Sequence, residues 1–77
     1  MPRFYFDIDD GTGLILDSEG SEHVGLEDAQ HEAIETLTQM GREIFPVSSD
    51  LELTIQIRGE GGKALMQTWL TLSARRL

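Results

Sequence analysis

The stretch Leu51-Glu52-Leu53-Thr54-Ile55-Gln56-Ile57-Arg58 alternates apolar and polar residues without an exception. A period of two over this length is typical of a β-strand that has one face in a core and the other in water. The residues that follow, Gly59-Glu60-Gly61-Gly62, indicate a hairpin loop, because glycine tolerates the positive φ angles of tight turns. Lys63 to Ser73 then forms the returning strand, so the C-terminal part of the chain is predicted to be a β-hairpin.

The N-terminal part predicts a second, shorter hairpin. Residues 3–8 (Arg-Phe-Tyr-Phe-Asp-Ile) alternate in the same way, with the aromatic residues favouring a strand. The Asp10-Gly11 pair lies in a segment that is expected to reverse the chain, and Leu14-Ile15-Leu16 is the short partner strand. A further turn is expected at 17–20, with a little more extended structure over 21–24.

A single helix is predicted between the two hairpins. Its apolar stripe has steps of three and four and consists of Leu26, Ala29, Ala33, Leu37, Met40 and Ile44. Gly25 is an acceptable N-cap, and Glu27 and Asp28 lie in the first turn, where carboxylates interact favourably with the helix dipole. The helix is expected to end between Gly41, a possible C-cap, and Phe45, which precedes a proline.

These elements predict one α+β domain over residues 1–77. The expected architecture is an antiparallel sheet of three to four strands, in the order ββαββ, with the amphipathic helix packed on one face. A chain of 77 residues buries only roughly 60% of its surface, so additional stabilisation is expected. Without cysteine, neither disulfides nor a thiolate zinc site can supply it, which leaves oligomerisation as the leading candidate.

The last strand does not fit a sheet with one dry face. One parity turns Ala64, Met66, Thr68, Leu70 and Leu72 toward the helix, and the other turns Leu65, Gln67, Trp69 and Thr71 there. If the larger set faces the helix, Leu65 and Trp69 emerge on the outer face, to which Tyr5 also points. We therefore expect Tyr5, Leu65 and Trp69 to contribute to a homodimer interface. The alternative is that Trp69 packs locally against arginine side chains or the C-terminal segment.

The charge is distributed unevenly along the chain. Residues 1–35 contain ten acidic residues and one basic residue, a local net charge of −9 within a total of −8. Nucleic-acid binding needs clustered Lys and Arg, and only Arg75-Arg76 approaches such a cluster, so nucleic acid is not expected as a partner. No segment has the length and hydropathy of a membrane span, and no signal peptide is recognised, so we expect a cytoplasmic protein with no membrane partner.

No motif predicts a catalytic site or a cofactor. The acidic run at 7–13 lacks the spacing of an EF-hand loop, and the glycine-rich loop at 59–62 leads into a strand, where a phosphate-binding loop needs a helix. His31 lies between Glu27 and Glu35 on one helix face, the arrangement of an ordinary surface histidine. An irregular divalent-cation site across the two N-terminal turns is the one metal site left to consider. Its ligands would be Asp9, Asp10, Asp17 and Glu19.

The opening Met1-Pro2-Arg3-Phe4-Tyr5-Phe6, the two N-terminal turns and the helix start at 26–29 together resemble a family of short bacterial proteins. That family, of the type found in rhizobia, is defined only as a domain of unknown function. The resemblance implies a stand-alone bacterial protein and carries no activity with it. The expected function is thus a non-enzymatic protein–protein interaction or regulatory module, and the alternative is a weak cation-binding or small-ligand-binding protein that uses the acidic turns.

Overall fold

The computed structural model describes residues 1–44 and 50–77. The described elements follow one another in the order β1 (Arg3–Asp9), β2 (Leu14–Ile15), β3 (Ser21–Glu22), α1 (Leu26–Ile44), β4 (Leu51–Arg58) and β5 (Ala64–Leu72). The predicted α+β class, an antiparallel sheet with one helix, is confirmed. The sheet has five described strands, one more than the upper limit expected, because Ser21–Glu22 pairs with the start of β1.

The sheet brings the two ends of the sequence together. Its order is β2-β1-β4-β5, so the N-terminal strand pairs with the strand that follows the helix, with Phe6 opposite Ile57 and Ile8 opposite Ile55. The other side of β1 is shared by two short strands. β2 pairs near Ile8 and β3 pairs near Phe4, which leaves the middle of that side to the intervening loop.

Helix α1 lies over β4 and β5. Small residues allow this close approach: Ala29 and Ala33 are fully buried, and a Cβ atom on Gly41 would lie 2.9 Å from Cδ2 of Leu70. Gly41 is therefore an interior helix residue and not a C-cap. The helix continues to Ile44, and Phe45, the other expected end point, lies outside the described residues.

The core forms between the helix and the alternating face of β4. Seven buried apolar residues make up this cluster: Phe4, Ala29, Ala33, Leu37, Leu53, Ile55 and Ile57. Strand β5 adds its even-numbered side chains, because Leu70 lies opposite Leu53 and Met66 lies opposite Ile57. The even parity of β5 thus faces the helix from Met66 to Leu72, and Leu65 and Trp69 lie on the outer face of the sheet. The register shifts at the start of β5, so Ala64 lies opposite Arg58 and does not follow this parity.

Candidate functional site

Strand β5 combines a free edge with exposed apolar side chains. It pairs with β4 on one side, and no other strand of the described chain pairs with its second side. On the outer face of the sheet, Leu65 is 42% exposed and Trp69 is 63% exposed. Neither arginine side chains nor the C-terminal segment therefore cover the indole, which was the local alternative for Trp69.

The helix side of the same edge is also apolar. Leu70 and Leu72 of β5 line a depression of about 460 Å³ together with Thr38 and Gly41 of α1. Ile34 lies one helical turn before Thr38 on this flank of the helix and is half exposed. Apolar surface is thus available on both faces of the sheet along the β5 edge, and we refer to Leu65, Trp69, Leu70 and Ile34 as the β5 edge surface.

Tyr5 lies on the outer face but belongs to a different cluster. The guanidinium carbon of Arg58 lies 5.0 Å from the centre of the Tyr5 ring, a cation–π arrangement. A Cβ atom on Gly20 would lie 2.9 Å from two carbons of the same ring. Because Tyr5 pairs with Arg58 and Trp69 pairs with Thr54, the two aromatic residues are separated by about four residues along the strands, or about 13 Å.

Arg58 also connects to Asp7, which is the centre of a polar network. It is only 2% exposed, and its carboxylate accepts hydrogen bonds from Nε and Nη2 of Arg58 and from the backbone N–H of Asp17. Arg58 also donates to the backbone oxygen of Asp17, at 2.9 Å. The hydrogen bond from Arg58 holds the pKa of Asp7 below its ordinary value; burial acts in the opposite direction, and the Asp17 N–H supports the lowering.

Asp17 fills the gap between β2 and β3 along the edge of β1. Its carboxylate accepts hydrogen bonds from the backbone N–H groups of Phe6, Glu19 and Gly20, at 3.0 to 3.1 Å. Burial acts to raise the pKa of Asp17, but the three N–H donors outweigh it and the pKa is lowered. A side chain therefore replaces the missing strand at the middle of β1, and this role explains the aspartate without a metal ion.

The remaining carboxylates considered for a cation site also have local roles. Asp9 accepts from the N–H of Gly11, and Asp10 accepts from both the N–H and the hydroxyl of Thr12. The Thr12 hydroxyl, followed by its N–H, lowers the pKa of Asp10. Within residues 1–44 and 50–77, no group of three or more His, Cys, Asp or Glu residues is arranged to hold a metal ion. Glu19 joins this loop through its backbone N–H, which donates to the Asp17 carboxylate.

His23 fixes the approach to the helix. Its ring lies 5.5 Å from that of Phe6 and 6.1 Å from that of Phe4, and its two nitrogens lie 3.0 Å from the Ser21 hydroxyl and the Asp28 carboxylate. The other histidine, His31, is exposed and lies 3.8 Å from Glu35. His23 therefore acts as a structural link between β3 and the first turn of α1.

The pairing of Arg58 with Asp7 was not predicted from the sequence. Alternation places Asp7 and Arg58 on the polar face of two different strands, but nothing in the sequence states that these strands are neighbours. The signal that could have identified the pair is Arg58 itself, the one basic residue in the polar row of β4 that also contains Glu52, Thr54 and Gln56.

Comparison with known proteins identifies a family to which no activity is assigned. A family model described as a domain of unknown function (DUF6894) matches residues 3–71. No curated protein and no solved structure gives a significant match. In the part of the chain that the structure describes, no helix has both the length and the apolar character needed to cross a membrane.

Proposed function

The chain belongs to the DUF6894 family, and we propose that it is a small non-enzymatic interaction module that forms a homodimer through the free edge of β5. One observation carries this proposal: β5 is a nine-residue edge strand that contains no charged residue and no proline. It pairs regularly with β4 from Met66 to Leu72, and a register shift interrupts it only at its start. Edge strands of monomeric proteins are usually short or protected by lysine, proline or a bulge, because their unpaired N–H and C=O groups attract other strands. A long, uncharged edge is typical of a strand that has a partner.

A second copy of the same strand is a complementary partner. If two β5 strands pair antiparallel around a two-fold axis at Gln67, Leu65 of one protomer lies opposite Trp69 of the other, twice over. On the helix side the same register places Met66 opposite Thr68. The two residues of each opposed pair then lie on the same face of the sheet, as the pleat requires.

The charge distribution also favours this arrangement. Six of the ten acidic residues at 1–35 lie in β1, β2, β3 and their turns, on the side of the sheet away from β5. Edge pairing through β5 therefore places these six acidic residues of the two protomers at opposite ends of one continuous sheet. The other edge consists of two-residue strands, so the assembly closes as a dimer and does not continue as a fibre.

Analytical ultracentrifugation from low to high micromolar concentration tests the proposal. We expect a wild-type dimer, and we expect Trp69→Ala to weaken it by about 2 kcal/mol, or roughly 30-fold, as for an aromatic residue at the centre of an interface. Gln67→Lys should also weaken it, because the two new ammonium groups would lie opposite each other across the axis.

Gln39→Lys is the matched control. It makes the same charge change at an exposed position of α1 instead of on the β5 strand, and should leave the dimer intact. A wild-type chain that stays monomeric at high micromolar concentration would refute the proposal. Equal weakening by the two lysine variants would show that net charge, and not the β5 edge, controls association.

A further inference from the structure

Half of the sheet has no helix over it. An α-helix with its side chains is about 10 Å wide and strands lie about 4.8 Å apart, so one helix covers about two strands. Helix α1 lies over β4 and β5, and no other helix occurs in the described residues. Phe4 at the start of β1 is buried in the core, but the rest of the helix side of β1, and that of β2, is only partly covered.

The uncovered area is a groove with an apolar floor. Phe6 and Ile8 of β1 and Ile15 of β2 form the floor, and Glu32 and Thr36 of α1 form one wall. The loop at 16–21 forms the opposite side, and the groove has a volume of about 450 Å³. Ile15 is 64% exposed, so the floor reaches solvent.

Carboxylates border this floor. Glu32 lies in the helix wall and Glu19 in the loop, and neither carboxylate makes an ion pair within residues 1–44 and 50–77. The groove also lies within the segment of net charge −9. An occupant that carried negative charge would be repelled, whereas one with an apolar stripe and flanking Lys or Arg would complement both the floor and the rim.

We propose that this groove binds a basic amphipathic helix of a partner protein, which lies beside α1 as a second helix on the sheet. Apolar residues at positions i, i+4 and i+7 of that helix contact Phe6, Ile8 and Ile15, and its basic residues approach Glu19 and Glu32. This site is separate from the β5 edge and would be available in the monomer and in the dimer.

Three labelled 15-residue peptides provide the test, with binding to the intact chain measured by fluorescence anisotropy. The first has leucine at helical spacing and lysine elsewhere, the second has glutamate in place of each lysine, and the third contains the residues of the first in an order that destroys the apolar stripe. We expect only the first to bind, and we expect its binding to weaken as salt is added.

Paired substitutions locate the binding. Ile15→Ser should weaken it about tenfold, while Leu14→Ser, an equally exposed neighbour on the other face of β2, should not change it. Glu32→Lys should weaken it about fivefold, while Glu35→Lys, on the solvent side of α1, should have a much smaller effect. Amide shifts of the labelled protein should move at Ile15 and Thr36 and stay unchanged in β5.

The remaining outcomes overturn the proposal. Failure of the first peptide to bind at high micromolar concentration excludes this ligand chemistry. Equal binding of the first and third peptides shows attraction by charge alone, and equal effects of each pair of variants place the peptide elsewhere. If the bound peptide shows no helical signal in circular dichroism, it has added to the sheet as a strand. If Ile15→Ser changes the self-association of the protein, a second copy of the chain occupies the groove. Because self-association is measured without peptide, failure of this proposal is distinguishable from failure of the β5 dimer.

Discussion

Removal of the Asp7 carboxylate tests how much the polar network on the outer face of the sheet contributes to stability. In Asp7→Ala, Arg58 loses two hydrogen bonds and the N–H of Asp17 loses its acceptor. Removing one partner of a buried ion pair costs about 3–5 kcal/mol of unfolding free energy. Arg58 is a quarter exposed and regains contact with water, so we expect the lower end of that range, about 3 kcal/mol.

That loss is large for this chain. A 77-residue domain has a total stability of roughly 4–12 kcal/mol, and 3 kcal/mol corresponds to a fall in Tm of roughly 12–24 °C. Urea unfolding followed by circular dichroism gives the free energy, and a thermal scan gives Tm. Asp9→Ala, an exposed aspartate two residues along the same strand, is the control and should cost less than about 1 kcal/mol.

The effect should depend on pH in a defined direction. The pKa of Asp7 is lowered in the folded protein, so its contribution is present above the ordinary pKa of 3.8 and is lost as the pH falls through the lowered value. The difference in stability between wild type and Asp7→Asn should therefore be constant near neutral pH and shrink below about pH 4. A loss under 1 kcal/mol in Asp7→Ala, or a difference from Asp7→Asn that grows as the pH falls below 4, would refute the reasoning.

Three further predictions concern the turns and the dimer. Gly20 and Gly62 both have positive φ, but a Cβ atom would lie within 3 Å of Phe4 and Tyr5 only at Gly20. Gly20→Ala should therefore destabilise the chain by at least about 1 kcal/mol more than Gly62→Ala in urea unfolding. Equal effects of the two substitutions would exclude the steric contact. The chain has no cysteine, so the Gln67→Cys variant should form a disulfide-linked dimer on mild oxidation, whereas the Thr71→Cys variant should not. The reverse result would exclude the register around Gln67. Because the turn carboxylates accept hydrogen bonds from their own backbone, excess Ca²⁺, Mg²⁺ or Mn²⁺ should not raise Tm, and a rise that a chelator reverses would restore the cation site.

The sequence predicted the elements well where a pattern extends over several turns or alternations. The bounds of β4 are those of its alternating stretch, and the apolar stripe of α1 extends to Ile44 as its periodicity indicates. Strand β3 was expected only as slight extended structure, because two residues carry no period. It exists through pairing with β1, a contact between distant residues that local sequence does not encode.

The polar contacts were harder to predict than the elements. Asp17 was considered as a cation ligand because carboxylates in turns are common to both roles, and only the distances to three backbone N–H groups distinguish them. The groove beside α1 was also not predicted, since it depends on which strands the helix covers. By contrast, the excess apolar surface of the last strand followed from its composition, because neither parity could bury both Leu65 and Leu70.

The order of strands in the sheet has a kinetic consequence. Six of the seven core residues lie in α1 and β4, which together with β5 form one continuous segment of the sequence, whereas β1 must find β4 across the whole helix. Contacts between residues close in sequence form at a lower entropic cost, so the helix and the C-terminal hairpin are expected to assemble before β1 docks. Loss of the Asp7–Arg58 pair, which joins residues 51 positions apart, should therefore accelerate unfolding and leave the refolding rate nearly unchanged in stopped-flow experiments.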